Sequence, residues 1–319
     1  MAVNAAVIPV AGLGTRLLPL TKSVPKELLP LGRKPVLQHV VEEMQAAGAQ
    51  KLVMITSESK ETIKEHFSVD TELEKKLLDQ GKNDLLDALQ FLSDPAHIIC
   101  VNQAQQKGLG DAVYCARESI GDQSFLIALG DTKMGDTKMG DDMQRGGDHS
   151  KFSDQNSASL CLRMIACFER TDADVAIAFQ EVSIDKVSRY GIAAPAAPVM
   201  PGDEFFHLSG IIEKPVPEHA PSRYAVAARY ICKPVIFEYL ARTPAGLGGE
   251  IQLTDAIQVL IEEGGRVIGV PLQGLEKRYD VGNYESYFTA FIEMALSDPQ
   301  CGEAVQRRVK AMMLKLAEK

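Results

Sequence analysis

The chain has 319 residues and a formal net charge of −9, with 45% hydrophobic and 24% charged residues, as in ordinary globular proteins. No apolar run approaches the ~20 residues that span a bilayer, no export signal opens the chain, and no broad basic face suits nucleic acid, so we expect neither a membrane nor a nucleic-acid partner. None of the six cysteines forms a Cys-x-x-Cys pair, which indicates reduced residues of a cytoplasmic protein rather than disulfides or zinc ligands.

The first apolar run, Ala5–Val10, predicts a buried strand that ends in the turn Gly12-Leu13-Gly14. Glycines let the backbone approach a ligand closely and direct its N–H groups at phosphate oxygens. Residues 11–34 hold five basic side chains and one acidic side chain, Glu27. This cationic loop in an acidic protein indicates a compact polyanion such as a nucleoside triphosphate. The alternative is an ordinary strand-to-helix turn with a solvated basic loop.

The glycine turn lacks the features of two common phosphate-binding motifs. The dinucleotide fingerprint needs a third glycine and, about 20 residues later, an acidic residue, whereas this chain has Leu17 and then Thr56 at the end of its second apolar strand. The P-loop pattern Gly-x-x-x-x-Gly-Lys-Ser/Thr is absent here. A Rossmann dehydrogenase and a Walker-type NTPase are therefore disfavoured.

Further along the chain, apolar runs alternate with amphipathic segments. Strands are predicted over Ala5–Val10, Lys51–Ile55, His97–Val101, Ser124–Leu129, Asp174–Val182 and Ala225–Cys232. Helices are predicted over Val36–Ala47, Ser59–His66, Leu85–Leu92, Leu109–Ser119, Pro234–Leu240 and Leu253–Glu262. This alternation predicts a three-layer α/β domain with a mostly parallel sheet, in which ligands bind at the carboxyl ends of the strands. Residues 12–34, 102–111 and those from 131 onward all follow predicted strands, so we expect them to form one cleft.

A direct repeat, Gly-Asp-Thr-Lys-Met, occupies residues 130–134 and 135–139 and runs into a Gly- and Asp-rich segment. Its low apolar content predicts a mobile loop, an insertion at about residues 132–155 in a single domain that spans residues 1–297. A C-terminal helix is predicted over residues 298–319, and its apolar stripe either packs on the domain or forms a subunit contact.

Several segments resemble the motifs of the nucleotide-sugar pyrophosphorylases and occur in that family's order. They are Gly14–Lys22, Pro25–Pro30, Lys107–Gly110, Glu213–Pro215, Gly248–Ala256 and Asp280–Asn283, and the resemblance covers roughly residues 3–295. The form Pro-Lys-Glu-Leu-Leu-Pro is similar to that of the bacterial UTP–glucose-1-phosphate uridylyltransferases. The resemblance implies a three-layer, Rossmann-like nucleotidyltransferase fold with a mostly parallel mixed sheet. Strand patterns dominate residues 174–232, which we expect to extend the sheet and to form the sugar side of the cleft. The resemblance also implies a homodimer or homotetramer.

The resemblance implies a reaction in which UTP and α-D-glucose 1-phosphate give UDP-glucose and pyrophosphate, with Mg²⁺ as cofactor. The attacking phosphate oxygen is already an anion and needs no base, so catalysis would consist of positioning and electrostatic stabilisation. Uracil and thymine share one hydrogen-bonding edge, so a dTTP-dependent thymidylyltransferase is an alternative. A catalytically weak paralogue that binds nucleotide sugars or an active partner is another.

The resemblance assigns nucleotide binding to residues that follow the first and third predicted strands. They are Ala11, Gly12, Gly14, Thr15, Gln103 and Gly108. Arg16 would contact the reacting phosphates and Lys26 the nucleotide phosphates, and together with Lys214 they are the candidate catalytic residues. Gln103 offers a donor and an acceptor that match the imide edge of uracil. Asn102 is a departure, since the subfamily commonly has arginine there.

Two aspartates match the Mg²⁺ ligands of the family, Asp131 and Asp280. Mg²⁺ prefers carboxylate oxygens and often takes only one or two protein ligands. Asp136 occupies the equivalent position in the second copy of the repeat and is therefore the alternative to Asp131. Asp131 is favoured because it directly follows an apolar strand.

The sugar-binding residues implied by the resemblance are Gly191, Glu213, Lys214 and Glu250. Glu213 would accept hydrogen bonds from sugar hydroxyls and Lys214 would bind the sugar phosphate. Neighbouring strand residues point to opposite faces, so these two side chains can serve one ligand only at a strand end or bulge.

Overall fold

The computed structural model describes residues 3–89, 98–136 and 158–317. The strands in these ranges are β1 (Ala5–Pro9), β2 (Pro30–Leu31), β3 (Lys34–Pro35), β4 (Lys51–Thr56), β5 (Ile98–Asn102), β6 (Phe125–Ala128), β7 (Thr132–Asp136), β8 (Val175–Glu181), β9 (Gly191–Pro195), β10 (Phe206–Glu213), β11 (Tyr224–Cys232), β12 (Val267–Pro271) and β13 (Glu276–Asp280). The α-helices are α1 (Val36–Ala46), α2 (Glu61–His66), α3 (Thr71–Asp79), α4 (Asn83–Asp87), α5 (Leu109–Cys115), α6 (Arg117–Ile120), α7 (Ser159–Thr171), α8 (Ile236–Arg242), α9 (Leu253–Glu262), α10 (Tyr284–Leu296) and α11 (Gly302–Ala317).

Within the described residues, one nine-stranded mixed sheet has the order β5-β4-β1-β6-β11-β8-β12-β10-β9. The four strands β5, β4, β1 and β6 pair in parallel, whereas β11 is antiparallel to both of its neighbours β6 and β8. The α/β class is confirmed, but the sheet is mixed rather than mostly parallel: outside the four N-terminal strands only β8 and β12 pair in parallel, and the other described pairings are antiparallel. Strands β9, β10 and β11 follow one another with no α-helix between them, and short connections favour antiparallel pairing.

Two apolar cores cover the two faces of this sheet. Alternate residues of β1 point to opposite faces, with Ile8 in one core and Val7 in the other. Helices α1 and α7 pack on the first face through residues such as Met44 and Met164. Helices α5, α8 and α9 pack on the second, where the ring of Phe237 stacks on that of Phe125, 5.1 Å between centroids. These layers give the three-layer architecture that the alternation of strands and helices predicts.

The apolar runs give the six predicted strands to within about two residues, and the helix Leu253–Glu262 is found with the predicted bounds. The predicted helix Leu109–Ser119 is divided into α5 and α6. The helix predicted over Leu85–Leu92 corresponds to α4, which ends earlier, at Asp87. Residues 90–97 lie outside the described residues.

The first copy of the direct repeat does not begin a loop. Residues Thr132–Asp136 form β7, which pairs antiparallel with β13 in a separate two-stranded sheet. Its pairing partner lies more than a hundred residues further along the chain, so the local composition gives no sign of the strand. Residues 137–157, most of the predicted insertion, lie outside the described residues.

A third apolar cluster joins the two ends of the chain beside the glycine turn. Leu17 and Leu29 pack there with Tyr287 of α10, and the Tyr284 hydroxyl donates to the carbonyl oxygens of Leu17 (3.1 Å) and Leu18 (3.2 Å). Helix α10 is therefore part of the wall behind the cationic loop. None of the described helices is both long and apolar enough to cross a membrane.

Candidate active site

The glycine turn after β1 has a backbone that requires glycine at one position. Gly14 has a φ of 66°, in the left-handed region, where a side chain would be strained. The Thr21 hydroxyl donates to the Gly14 carbonyl oxygen at 2.8 Å, which closes the turn. Arg16 is exposed directly after this turn, and its charge acts on both Lys26 and Asp280.

Lys26 and Asp131 form an ion pair in this region. The Lys26 Nζ atom lies 2.5 Å from Asp131 Oδ2, and a Cβ atom at Gly12 would lie 3.9 Å from the same Nζ. Burial disfavours the Lys26 ammonium, but the carboxylates of Asp131 and Glu27 outweigh it and raise the pKa of Lys26. Burial likewise acts to raise the pKa of Asp131, and Lys26 overcomes this and lowers it. The glycine turn, the ammonium and the carboxylate thus share one place.

The pairing of β7 with β13 brings Asp280 beside Asp131. Asp280 is opposite Thr132 in the register, and the Val281 N–H donates to the Asp131 carbonyl oxygen at 2.9 Å. Burial, and then the charge of Asp131, raise the pKa of Asp280. Asp136 is opposite Glu276, at the far end of the ladder, so the register places Asp131 rather than Asp136 beside Asp280.

These two carboxylates suit Mg²⁺, which keeps several waters and commonly takes one or two carboxylates together with substrate phosphates. Among the described residues there is no cluster of three or more potential metal-ligating side chains. A pair of carboxylates at the edge of a phosphate-binding turn agrees with that mode of binding.

The predicted sugar-binding residues Gly191, Glu213 and Lys214 also lie together. Glu213 is the last residue of β10, and Lys214 has a φ of 46°, so the strand ends between them. A strand end is what the sequence analysis requires if these two neighbouring side chains are to serve one ligand. The Lys214 Nζ atom is 3.1 Å from Glu213 Oε1, and the Thr254 hydroxyl donates to Glu213 Oε2 at 2.9 Å. A Cβ atom at Gly191 would lie 3.2 Å from Glu213 Oε2, so only glycine leaves this carboxylate its space.

Arg278 is a cation of the site that the sequence analysis missed. Its Cζ atom lies 4.4 Å from the ring centroid of Tyr190, and its Nη1 atom donates to the Val226 carbonyl oxygen at 2.8 Å. Arg278 is two residues before Asp280 on β13, so both side chains lie on the same face of that strand. Arg278 thereby connects Tyr190, the residue before Gly191, to the strand that carries Asp280, and the pairing of β13 reveals this position.

The predicted base-binding residues follow β5. The side chain of Gln103 is buried, and its Nε2 atom donates to Asp111 Oδ2 (2.7 Å) and to the Gly108 carbonyl oxygen (3.3 Å). The donor end of this amide is thus held inside the protein, and its oxygen is the end that can meet the N3–H of a pyrimidine. Asn102 lines a cavity of ≈ 260 Å³ together with Thr56.

Two motifs that are distant in sequence meet at Gly108. A Cβ atom there would lie 2.7 Å from the Ile251 carbonyl oxygen and 2.8 Å from Glu250 Cβ, and φ is 104°. The Ile251 N–H donates to the Lys107 carbonyl oxygen at 2.7 Å. Glu250, predicted beside the sugar, is therefore placed against the base-binding loop.

Comparison with known proteins identifies the family of this chain. Residues 5–296 match the family profile "Nucleotidyl transferase". The chain is 38% identical over 298 residues to the UTP–glucose-1-phosphate uridylyltransferase of Bacillus subtilis (strain 168), covering 93% of both chains. A UTP-bound UGPase from Acinetobacter baumannii superimposes with a TM-score of 0.82 at 32% identity, covering 97% of this chain and 99% of that one. A UDP-glucose pyrophosphorylase complexed with UDP-glucose gives a TM-score of 0.75 at 29% identity, covering 91% and 97%.

Proposed function

The chain belongs to the nucleotidyl transferase family, and from that premise we propose that it is a UTP–glucose-1-phosphate uridylyltransferase. It converts UTP and α-D-glucose 1-phosphate to UDP-glucose and pyrophosphate. The observation that carries the proposal is the arrangement of charged residues in the cleft. The ion pair of Lys26 and Asp131 lies beside β13, and Arg278 of β13 contacts Tyr190, whose carbonyl oxygen accepts the Lys214 N–H next to Glu213.

In this proposal the chain supplies binding and charge rather than a base. The amides of Gly12 and Gly14, with Arg16 and Lys26, hold the phosphates of UTP. Lys214 holds the phosphate of the sugar, whose oxygen is already negative at neutral pH, and Glu213 accepts hydrogen bonds from the sugar hydroxyls. Lys26 and Glu213 are partly buried, so their charges act more strongly than they would in water, whereas Arg16 and Lys214 are exposed.

Asp131 and Asp280 are the residues that would hold Mg²⁺. When bound, the ion supplies charge neutralisation and a template for the phosphates of both substrates. Lys26 and Arg16 then orient the phosphate chain so that the sugar phosphate meets the α-phosphorus in line with the departing pyrophosphate.

UTP is the nucleotide favoured by the relatives, which are named as uridylyltransferases at 36–38% identity. The thymidylyltransferase alternative has less support. The weak paralogue would require loss of the charged groups of the cleft, yet Arg16, Lys26 and Lys214 are all present.

We further propose a homodimer or homotetramer in the cytoplasm. Helices α10 and α11 expose large apolar side chains, which can form a subunit contact. They include Phe288 (54%), Met313 (62%), Leu314 (67%) and Leu316 (65%). All six cysteines are free, which agrees with a reducing compartment.

The experiment that tests the activity is pyrophosphate release with MgCl₂ and glucose 1-phosphate, comparing UTP, dTTP, CTP, ATP and GTP. We expect release with UTP alone. Preference for dTTP would move the chain to the thymidylyl branch, and no release by folded protein would favour the paralogue.

A further inference from the structure

Lys60 is a buried lysine that no sequence motif identifies. It ends a short 3₁₀ turn, Glu58–Lys60, directly before α2, and its side chain is only 7% exposed. Lysine is almost never buried to this degree unless its ammonium is paired. Its position therefore calls for a specific partner and a specific reason.

The Lys60 ammonium joins two parts of the phosphate-binding region. Its Nζ atom donates to the Val10 carbonyl oxygen at 2.5 Å and to Glu27 Oε2 at 2.7 Å. Val10 is the residue before the segment that begins at Ala11, and Glu27 directly follows Lys26 in the chain. One buried group thus ties the start of the glycine turn to the segment that carries the cleft lysine.

This pair is poorly explained by stability alone. Burial lowers the pKa of Lys60 despite the nearby carboxylate of Glu27, and burial raises the pKa of Glu27 despite Lys60. A buried ion pair loses its hydration on folding, and well-packed apolar residues often stabilise a protein as much or more. What apolar residues cannot provide is a fixed link between a carbonyl oxygen and a carboxylate.

We propose that Lys60 is a positioning residue for the UTP phosphates, because its ammonium fixes the turn from Ala11 to Gly14 relative to Lys26. The inference rests on the proposed function, since it assigns Lys60 to the nucleotide half of that site. The turn supplies backbone N–H donors and Lys26 supplies charge, and both must face the same phosphate chain. A displacement of about 1 Å in such a site can lower turnover by ~100-fold.

The test separates positioning from stability by removing both charges together. In the double variant Lys60→Met/Glu27→Met, no buried charge is left unpaired, so the melting temperature should stay close to that of the wild type. The single variant Lys60→Met leaves Glu27 buried alone and should melt lower. If Lys60 positions the turn, the double variant still binds UTP about tenfold more weakly, which corresponds to about 1.4 kcal/mol.

The measurements are calorimetric titration with UTP in MgCl₂ and steady-state kinetics of pyrophosphate release. We expect kcat to fall and the KM for UTP to rise, while the KM for glucose 1-phosphate is unchanged. If this double variant does not fold, Lys60→Met/Glu27→Gln, which also leaves no buried charge and keeps the size of the Glu27 side chain, is compared in the same way. In either variant, wild-type affinity for UTP or an equal loss for both substrates overturns the proposal.

Lys233→Met is the matched control. The Lys233 Nζ atom bonds Asp172 Oδ1 (2.9 Å) and Asp174 Oδ1 (3.1 Å). Lys233 lies at the opposite ends of the strands from the glycine turn, because it follows Cys232, the partner of Phe125 at the start of β6. Its loss should lower the melting temperature and leave UTP affinity unchanged. If the wild-type chain does not bind UTP, the proposed function is overturned, and the inference with it. If the wild-type chain binds UTP and the variant binds it equally well, only the inference is overturned.

Discussion

At the scale of single residues, the cleft holds two neighbouring carboxylates, Asp131 and Asp280, that repel each other. Lys26 compensates Asp131, but Asp280 is buried next to Asp131, and both effects raise its pKa. The charges of Arg278, Lys26 and Arg16 act in the opposite direction, but they do not cancel this increase. A cation that arrives with the nucleotide relieves the repulsion between the two aspartates, so the arrangement favours a ligand that brings both phosphates and a metal.

Asp131 rather than Asp136 should support Mg²⁺-dependent turnover, because the strand register places Asp131 beside Asp280. We expect Asp131→Asn to abolish pyrophosphate release at every MgCl₂ concentration, and Asp136→Asn to leave the Mg²⁺ dependence as in the wild type. Titrations of the rate with MgCl₂ for the two variants provide the measurement. The reverse pattern would move the metal site to the second copy of the repeat.

Lys214 is expected to affect one substrate far more than the other. Replacing it by alanine removes the ammonium that would meet the sugar phosphate, so the KM for glucose 1-phosphate should rise by about tenfold or more and the KM for UTP should change little. Steady-state kinetics with each substrate varied in turn measures this.

Lys214→Gly is the control for the backbone. Because Lys214 has a φ of 46°, glycine should keep the kinetic defect and relieve backbone strain, which is typically about 1–2 kcal/mol. Equal changes in KM for both substrates would contradict the role given to this lysine.

At the scale of elements, an irregularity in β11 supports the segment that carries Asp131. The register shifts between Val226 and Tyr230, and Ala228 has a φ of 62°. The Leu129 N–H donates to the Ala228 carbonyl oxygen at 3.2 Å, and Arg229 Nη2 donates to the Thr132 carbonyl oxygen at 2.8 Å. These bonds hold the segment on both sides of Asp131.

Arg229 is fully buried and forms a two-bond ion pair with Glu43 of α1, at 2.8 and 2.6 Å. Arg229→Met leaves Glu43 buried without its partner, so the free energy of unfolding should fall by about 3–5 kcal/mol, as measured by denaturant titration. Arg229→Met/Glu43→Met should recover most of the loss. The exposed pair of Arg223 and Glu181 is the control, and Arg223→Met should change stability by less than about 1 kcal/mol. A loss of the same size in the double variant would contradict the argument.

The sequence predicts elements well where local pattern decides them. The run Leu52–Ile55 is apolar throughout and lies within β4, and Leu253–Glu262 has an apolar stripe and forms α9. In contrast, the sequence of β7 is too polar to predict a strand. This strand is stabilised instead by its pairing with β13 and by the burial of Met134.

The same limit applies to the candidate site. Residues within recognisable motifs, such as Lys26 and Glu213, could be predicted, whereas Lys60 and Arg278 could not. Both are ordinary basic residues in the sequence, and their positions depend on contacts with distant segments.

At the scale of the whole molecule, the two ends of the chain build one cleft. The apolar cluster beneath the glycine turn contains Leu17 and Leu29 from the segment between β1 and β2, and Tyr287 and Ala290 from α10. Arg33 also pairs with Asp298 at 2.5 Å, just beyond that helix. The glycine turn, where we propose that the phosphates bind, therefore depends on folding of the C-terminal region through residue 298.

Helix α11 should be dispensable for catalysis, because its side chains are mostly exposed and none of the candidate site residues lies on it. A chain that ends at Cys301 should release pyrophosphate as the full chain does but form a smaller assembly in size-exclusion chromatography with light scattering. If both chains form assemblies with the same number of subunits, α11 is not the subunit contact.

The contact between Arg278 and Tyr190 has an optical consequence. The chain contains eight tyrosines and no tryptophan. Tyr190 precedes Gly191, and its carbonyl oxygen accepts the Lys214 N–H at 2.9 Å, so it lies at the sugar side of the cleft. Tryptophan at this position would keep the interaction with the guanidinium, since indole is the aromatic ring that binds cations best. Its emission would come from the sole indole of the chain, and binding of the sugar phosphate could be followed in real time with unlabelled substrate.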